Sequence, residues 1–151
     1  MSETSTDVIR MMAEHERLIS ALYSAYARSV PEKEDFWKRL AAEEIEHSEW
    51  LTALLDGGYG DPRAADAFKA EAIRTSAAYV QEATVAADTE GVSHLEALSV
   101  AADVEEAMIE KRFFDAFIAD SADARKVLDR LERETTEHRK RIERELAVER
   151  A

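Results

Sequence analysis

Glu44 and His47 lie three residues apart in the run Ala41-Ala42-Glu43-Glu44-Ile45-Glu46-His47-Ser48-Glu49-Trp50-Leu51. Both fall in a stripe that reads Trp37, Leu40, Glu44, His47, Leu51 and Leu54, in alternating steps of three and four. That is the period of a helix face turned toward a core. A carboxylate and an imidazole on such a face are costly unless they are paired or hold a cation. Glu-x-x-His on a helix points both side chains the same way, one turn apart, so the two can share a metal centre.

A carboxylate-bridged dimetal site takes one Glu from each of two helices and Glu-x-x-His from each of the other two. Carboxylates bridge and neutralise two hard divalent ions, and each His gives one neutral nitrogen and leaves positions open for oxygen or peroxide. Glu16 fits the single-Glu role. It sits in the stripe Val8, Met12, Glu16, Ile19, Tyr23, Tyr26, and its neighbours at three and four residues, Met12, Ala13, Ile19 and Ser20, carry no charge. For the other single Glu, Glu105 is set among Ala101, Ala102, Met108 and Ile109 and is favoured. Glu110, with Ala107, Phe113 and Phe114 nearby, stays as the second candidate, while Glu106, flanked by Asp103 and Glu110, reads as solvated.

His138 lies in the stripe Leu128, Leu131, Thr135, His138, Ile142, Leu146, but the residue three before it is Thr135 rather than Glu. Glu134, four before it, can reach the same face. Glu137 is flanked by Arg133, Glu134, Lys140 and Arg141 and reads as surface. The candidate metal ligands are therefore Glu16, Glu44, His47, Glu105, Glu110, Glu134 and His138, with no catalytic group beyond them. His15 and His94 read as surface residues. Tyr23 and Tyr26 read as core aromatics with a hydroxyl partner, and Trp37 and Trp50 as packing residues.

These side chains need long helices to hold them. The first is expected from about Asp7 to about Ser29, broken by Pro31. The second runs from about Glu34 to about Asp56 and stops at Gly57-Gly58-Tyr59-Gly60-Asp61-Pro62. Residues 64–88, Ala-rich and punctuated by Phe68, Ile73, Tyr79 and Val85, predict a further helix that Gly91 interrupts. A third long helix starts at the capping box Ser93-His94-Leu95-Glu96 and runs to about Ile118. After the turn Asp120-Ser121-Ala122-Asp123, the last runs to near the C-terminus. Short links make the first and last pairs antiparallel hairpins. The expected fold is all-α: one domain over residues 1–151, a ferritin-like four-helix bundle whose one long crossover contains an additional helix.

Composition bounds the function. The chain has 151 residues, 46% of them apolar, with only four Gly and two Pro, a helix-favouring balance. A net charge of −13 argues against nucleic acid and anionic membrane as partners. The absence of cysteine excludes disulfides, iron–sulfur clusters and thiolate catalysis. The residues after Met1 lack the basic and apolar regions of a signal peptide, and no apolar run is long enough to span a bilayer, so a cytoplasmic location is expected.

The chain resembles the rubrerythrin-like branch of the ferritin-like di-iron carboxylate superfamily. The resemblance is carried by Glu16 with Tyr23 seven residues on, and by Phe36-Trp37 leading to Leu40-Ala41-Ala42-Glu43-Glu44 and His47. It continues through Val104-Glu105-Glu106-Ala107-Met108-Ile109-Glu110-Lys111-Arg112-Phe113-Phe114, and ends on Leu131 with His138. It implies a centre of two iron ions, with manganese or zinc as other occupants, that reduces peroxide or oxidises Fe(II). Full rubrerythrins add a Cys-rich rubredoxin domain that supplies electrons. This chain has no Cys, so a separate electron donor is implied, and a homodimer is expected. Thr135 in place of Glu keeps an alternative open: a non-catalytic ferritin-like bundle with a degenerate site, acting as a metal-binding or dimeric interaction module.

Overall fold

The computed structural model describes residues 5–57, 67–110 and 122–151. They form five helices: α1 (Ser5–Ser29), α2 (Glu34–Asp56), α3 (Ala67–Glu90), α4 (His94–Glu110) and α5 (Ala122–Arg150), with a 3-10 turn at Pro31–Lys33. Among the described residues there is no strand, and no helix is long and apolar enough to cross a membrane. The expected helix end at Ile118, Phe113 and Phe114, the turn residues Asp120 and Ser121, and the loop at 58–62 lie outside the described residues.

The three regular stripes are buried along their whole length. On α1 they are Val8, Met12, Glu16, Ile19, Tyr23 and Tyr26; on α2, Trp37 through Leu54; on α5, Leu128 through Leu146. In α2 and α5 the polar residues are bracketed by apolar ones on both sides, so apolar burial surrounds the polar layer. Each fully buried Leu or Ile contributes roughly 2 kcal/mol, enough in sum to offset a few costly polar groups.

Cross-helix pairs fix the directions. Ser20 Oγ donates to the Ala41 carbonyl at 2.8 Å, Tyr23 packs on Trp37, and Glu16 faces His47, so α1 and α2 are antiparallel. His94 meets Glu145 and Glu106 meets Arg139, so α4 and α5 are antiparallel. Glu43 pairs with Arg141 and His47 with Glu134, which sets α5 antiparallel to α2. α3 runs parallel to α1 along its back: His15 meets Ser76, and Arg28 meets Asp88.

Only part of the pattern that marks α3 in the sequence turns inward. Ala70, Ile73, Val80 and Ala87 are buried, whereas Tyr79 is 43% and Val85 61% exposed. Small alanines let α3 lie close against α1, so size rather than hydrophobicity marks its contact face. α3 ends where Gly91 takes φ +73 and its amide bonds the Ala87 carbonyl at 3.0 Å. The start of α4 is capped as expected. The Glu96 amide donates to Ser93 Oγ at 3.1 Å, and the Ser93 hydroxyl donates to the Glu96 carboxylate. Among the described residues no atom lies within 4 Å of a Cβ added at Gly91, so Gly91→Ala isolates the backbone effect. It is expected to destabilise by about 1 kcal/mol, read by denaturant melts.

Candidate metal centre

Glu16 of α1, Glu44 and His47 of α2, Glu105 of α4 and His138 of α5 converge in the interior, none more than 2% exposed. Glu44 lies between the two imidazoles. Its Oε1 is 2.9 Å from His138 Nδ1, and its Oε2 is 3.6 Å from His47 Nδ1. Glu16 Oε2 approaches His47 Nδ1 at 3.9 Å, and Glu105 Oε1 approaches His138 Nδ1 at 3.7 Å. The rings stack with centroids 5.1 Å apart. The cluster therefore has two halves, each with one imidazole, one carboxylate of its own and one oxygen of Glu44. One ligand atom each from Glu44, His47 and His138 lies within 4.8 Å of the others, a group that can hold a metal ion.

The outer ring nitrogens also have carboxylates. His47 Nε2 is 3.1 Å from Glu134 Oε1, and Arg130 Nε holds the other oxygen of Glu134 at 3.2 Å. His138 Nε2 is 3.6 Å from Glu43 Oε1, and Arg141 grips Glu43 with two bonds of 2.8 and 3.0 Å. His47, held by Glu134 on its far nitrogen, is oriented to present its near nitrogen to a cation, whereas His138 Nε2 makes no hydrogen bond among the described residues. Tyr23 adds a further support, its hydroxyl donating to Glu105 Oε1 at 2.7 Å.

The donor atoms are not self-sufficient. Glu16 Oε2, Glu44 Oε2, Glu105 Oε2, His47 Nδ1 and His138 Nε2 are buried without a hydrogen-bond partner among the described residues. A buried polar atom left unpaired costs roughly 1–3 kcal/mol, and cations held among the inner donors would relieve that cost. Three carboxylates and two imidazoles also have the donor chemistry of iron, manganese or zinc. The residues present thus fit a metal.

Without a cation, protons take its place. Burial and the neighbouring Glu44 charge push Glu16 up to about 8. Burial and Glu105 press Glu44 the same way, but the facing side chains of Glu16, His138 and His47 outweigh them and leave it lowered. Burial opposes charge on His47, yet the facing carboxylates of Glu16 and Glu44 hold it up at about 11. Burial likewise opposes charge on His138, and Glu105, Glu43 and Glu44 raise it to about 12. Outside the cluster, Glu43 lies well below the usual carboxylate range, held there first by His138 and, against its partial burial, also by Arg141.

Of the seven candidate ligands, five meet in this cluster. Glu110 is exposed at the end of α4, and Glu105 occupies the inward position. Glu134 sits outside the ring of His47 rather than among the inner donors. Thr135 is buried in the stripe one turn before His138. Sequence reasoning missed Glu43 and Arg141, whose opposite charges flank the stripes of α2 and α5. Two histidines read as surface are buried. His15, 2% exposed, is covered by α3 and bonds Ser76 at 2.8 Å. His94, 6% exposed, turns inward from the capping turn to meet Trp37.

Compared with protein-family models, curated proteins and solved structures, the chain matches none.

Proposed function

We propose that the protein is a dimetal carboxylate oxidoreductase of rubrerythrin type, a single ferritin-like four-helix unit in which α3 is the crossover helix. The observation that carries this reading is the two-halved cluster of Glu16, Glu44, His47, Glu105 and His138, with its unpartnered donor atoms. The antiparallel α1–α2 and α4–α5 pairs, and the long α3 between them, support the bundle. Glu44 serves as the shared carboxylate, Glu16 and Glu105 as separate ones, and His47 and His138 as neutral ligands through Nδ1. When bound, a pair of iron ions would supply the electrons and Lewis acidity for reducing a peroxide; in the ferroxidase case Fe(II) would itself be the substrate and electron source.

The chain's own residues set the conditions. Three carboxylates against two divalent ions would leave the centre with one net positive charge, which favours an anionic or polar substrate. Glu134 is the only one of the seven candidates at the boundary with an inner contact, its side chain 32% exposed, so it links His47 to solvent. Beside it, a shallow cavity of about 320 Å³ lined by Trp50, Leu54, Val127 and Arg130 ends on Trp50, whose ring is 5.3 Å from that of His47. Iron as the occupant, the separate electron donor and the homodimer belong to the same proposal.

A second reading has its own observation. Thr135 stands where the second Glu-x-x-His needs its carboxylate, and the raised imidazoles can stabilise the buried carboxylates with protons alone. On that reading the bundle is a metal-binding or interaction module without turnover. Anaerobic Fe(II) titration followed by peroxide separates the two. The oxidoreductase is expected to consume peroxide as Fe(II) is oxidised, and to do so again after re-reduction by a one-electron donor. Bound iron that peroxide does not oxidise supports the module. Thr135→Glu restores a fourth carboxylate beside His138 and is expected to raise iron content toward two per chain, while His47→Ala lowers it below wild type. Equal iron content in wild type and Thr135→Glu would show that the missing carboxylate does not matter.

A further inference from the structure

We propose that Trp37 is a redox relay that carries single electrons between the surface at Lys33 and a redox centre held among the buried carboxylates, with Tyr23 as the inner step and His94 as proton acceptor for the indole. The relay's purpose rests on the oxidoreductase reading; its existence does not.

A continuous line of side chains carries the inference. The Tyr23 hydroxyl donates to Glu105 at 2.7 Å. The Tyr23 ring lies 5.4 Å from that of Trp37, centroid to centroid. Trp37 Nε1 donates to His94 Nδ1 at 3.2 Å, and His94 Nε2 lies 3.3 Å from Glu145 Oε1. Glu145, its side chain 24% exposed, pairs with Lys33 at 3.0 Å. Tyr23 and Trp37 are fully buried. Tyrosine and tryptophan are the side chains most readily oxidised by one electron when cysteine is absent, and here they touch from centre to rim. A buried imidazole is expensive where an apolar ring would fill the space. What His94 adds is a base for the indole proton, with a carboxylate behind it to receive its own.

The transfer balances. Tyr23 gives one electron to an oxidised centre while its hydroxyl proton passes to Glu105. Trp37 then gives one electron to the tyrosyl radical, and that proton returns to Tyr23. At the same moment the indole Nε1 proton moves to His94 Nδ1, and the His94 Nε2 proton moves to Glu145. An outer-sphere one-electron reductant at the surface reduces the indolyl radical, and both protons move back. One electron has passed from reductant to centre, with no proton gained or lost.

The test uses the metal-free full-length chain. Because the sequence has no cysteine, Glu32→Cys provides a single thiol beside Lys33 for a ruthenium polypyridyl photo-oxidant. Trp50→Phe leaves Trp37 as the only tryptophan. Flash oxidation with a soluble electron acceptor, followed by transient absorption and freeze-trapped electron paramagnetic resonance, is expected to show a neutral tryptophan radical that decays into a tyrosyl radical. Tyr23→Phe should leave the tryptophan radical and remove the tyrosyl phase. His94→Phe should leave the indole as its protonated radical cation, with loss of the neutral-radical spectrum. That second change needs no cavity at Trp37 and covers the case in which Trp37→Phe fails to fold. Tyrosyl formation of undiminished yield and rate in Trp37→Phe or in Tyr23→Phe overturns the relay, as does a neutral indole radical that persists in His94→Phe. No metal takes part, so failure here leaves the dimetal reading standing. Failure of the chain to bind iron likewise leaves this result intact.

Discussion

Glu44→Ala is expected to abolish stabilisation by metal. Glu44 is the one carboxylate with an oxygen toward each imidazole, at 2.9 and 3.6 Å, so its loss opens both halves of the cluster at once. A ligand that binds only the native state adds about 2.7 kcal/mol at a hundredfold excess over its Kd. For a domain of this size that raises Tm by roughly 5–10 °C. Fe(II) or Mn(II) should produce a rise of that order in wild type and none in Glu44→Ala. The absolute Tm of the variant will also fall. Removing one partner of a buried charged pair leaves His138 without its closest anion, which costs about 3–5 kcal/mol. The informative quantity is therefore the difference with and without metal. Glu44→Gln, which keeps the volume, should show the same loss of response. A metal-induced rise that survives in both variants would remove Glu44 from the centre.

The second large effect is a reversal of pH dependence on metal binding. In the metal-free protein His47 and His138 are raised from 6.5 to about 11 and about 12. The native state then holds more protons than the unfolded chain above the ordinary imidazole value. The stabilisation is fully present below pH 6.5 and is lost as pH rises toward those raised values. Glu16, raised from 4.5 to about 8, acts in the same direction over its own window. Glu44, lowered, acts oppositely, and its contribution fades only as pH falls below 4.5. Each imidazole contributes up to about 1.4 kcal/mol per pH unit, so the metal-free protein should lose stability steadily from roughly pH 7 to pH 9. A metal must displace those same protons, so its affinity rises over that range. The gap in Tm between loaded and metal-free protein should widen with pH. A metal-free stability that stays flat from neutral to alkaline pH would show that the imidazoles do not hold these protons.

What was legible in the chain followed from periodicity. The stripes of α1, α2 and α5 repeat every three or four residues, so burial of Glu16, Glu44, His47 and His138 could be read directly. Glu105 stood out over Glu110 because its flanking residues are apolar. Three things were not legible, each for a local reason. The contact face of α3 includes Ala70 and Ala87, small residues that give no contrast in an alanine-rich helix, so its sequence pattern is weak and its inward face could not be read. His15 is buried because α1 is covered on two faces, and a single stripe reports only one. His94 satisfies a capping pattern that fixes backbone donors but not the direction of its own ring. The outer pairs, Glu134 with His47 and Glu43 with Arg141, depend on how far α2 and α5 slide past each other, which no single-helix pattern encodes.

The most direct test is anomalous diffraction from crystals of the protein loaded with iron or manganese. Two peaks are expected, a strong one flanked by Glu16, His47 and Glu44 and a weaker one flanked by Glu105, His138 and Glu44. Crystals from metal-saturated solution with no peak at this cluster, or with metal only among the exposed acids, would contradict the account.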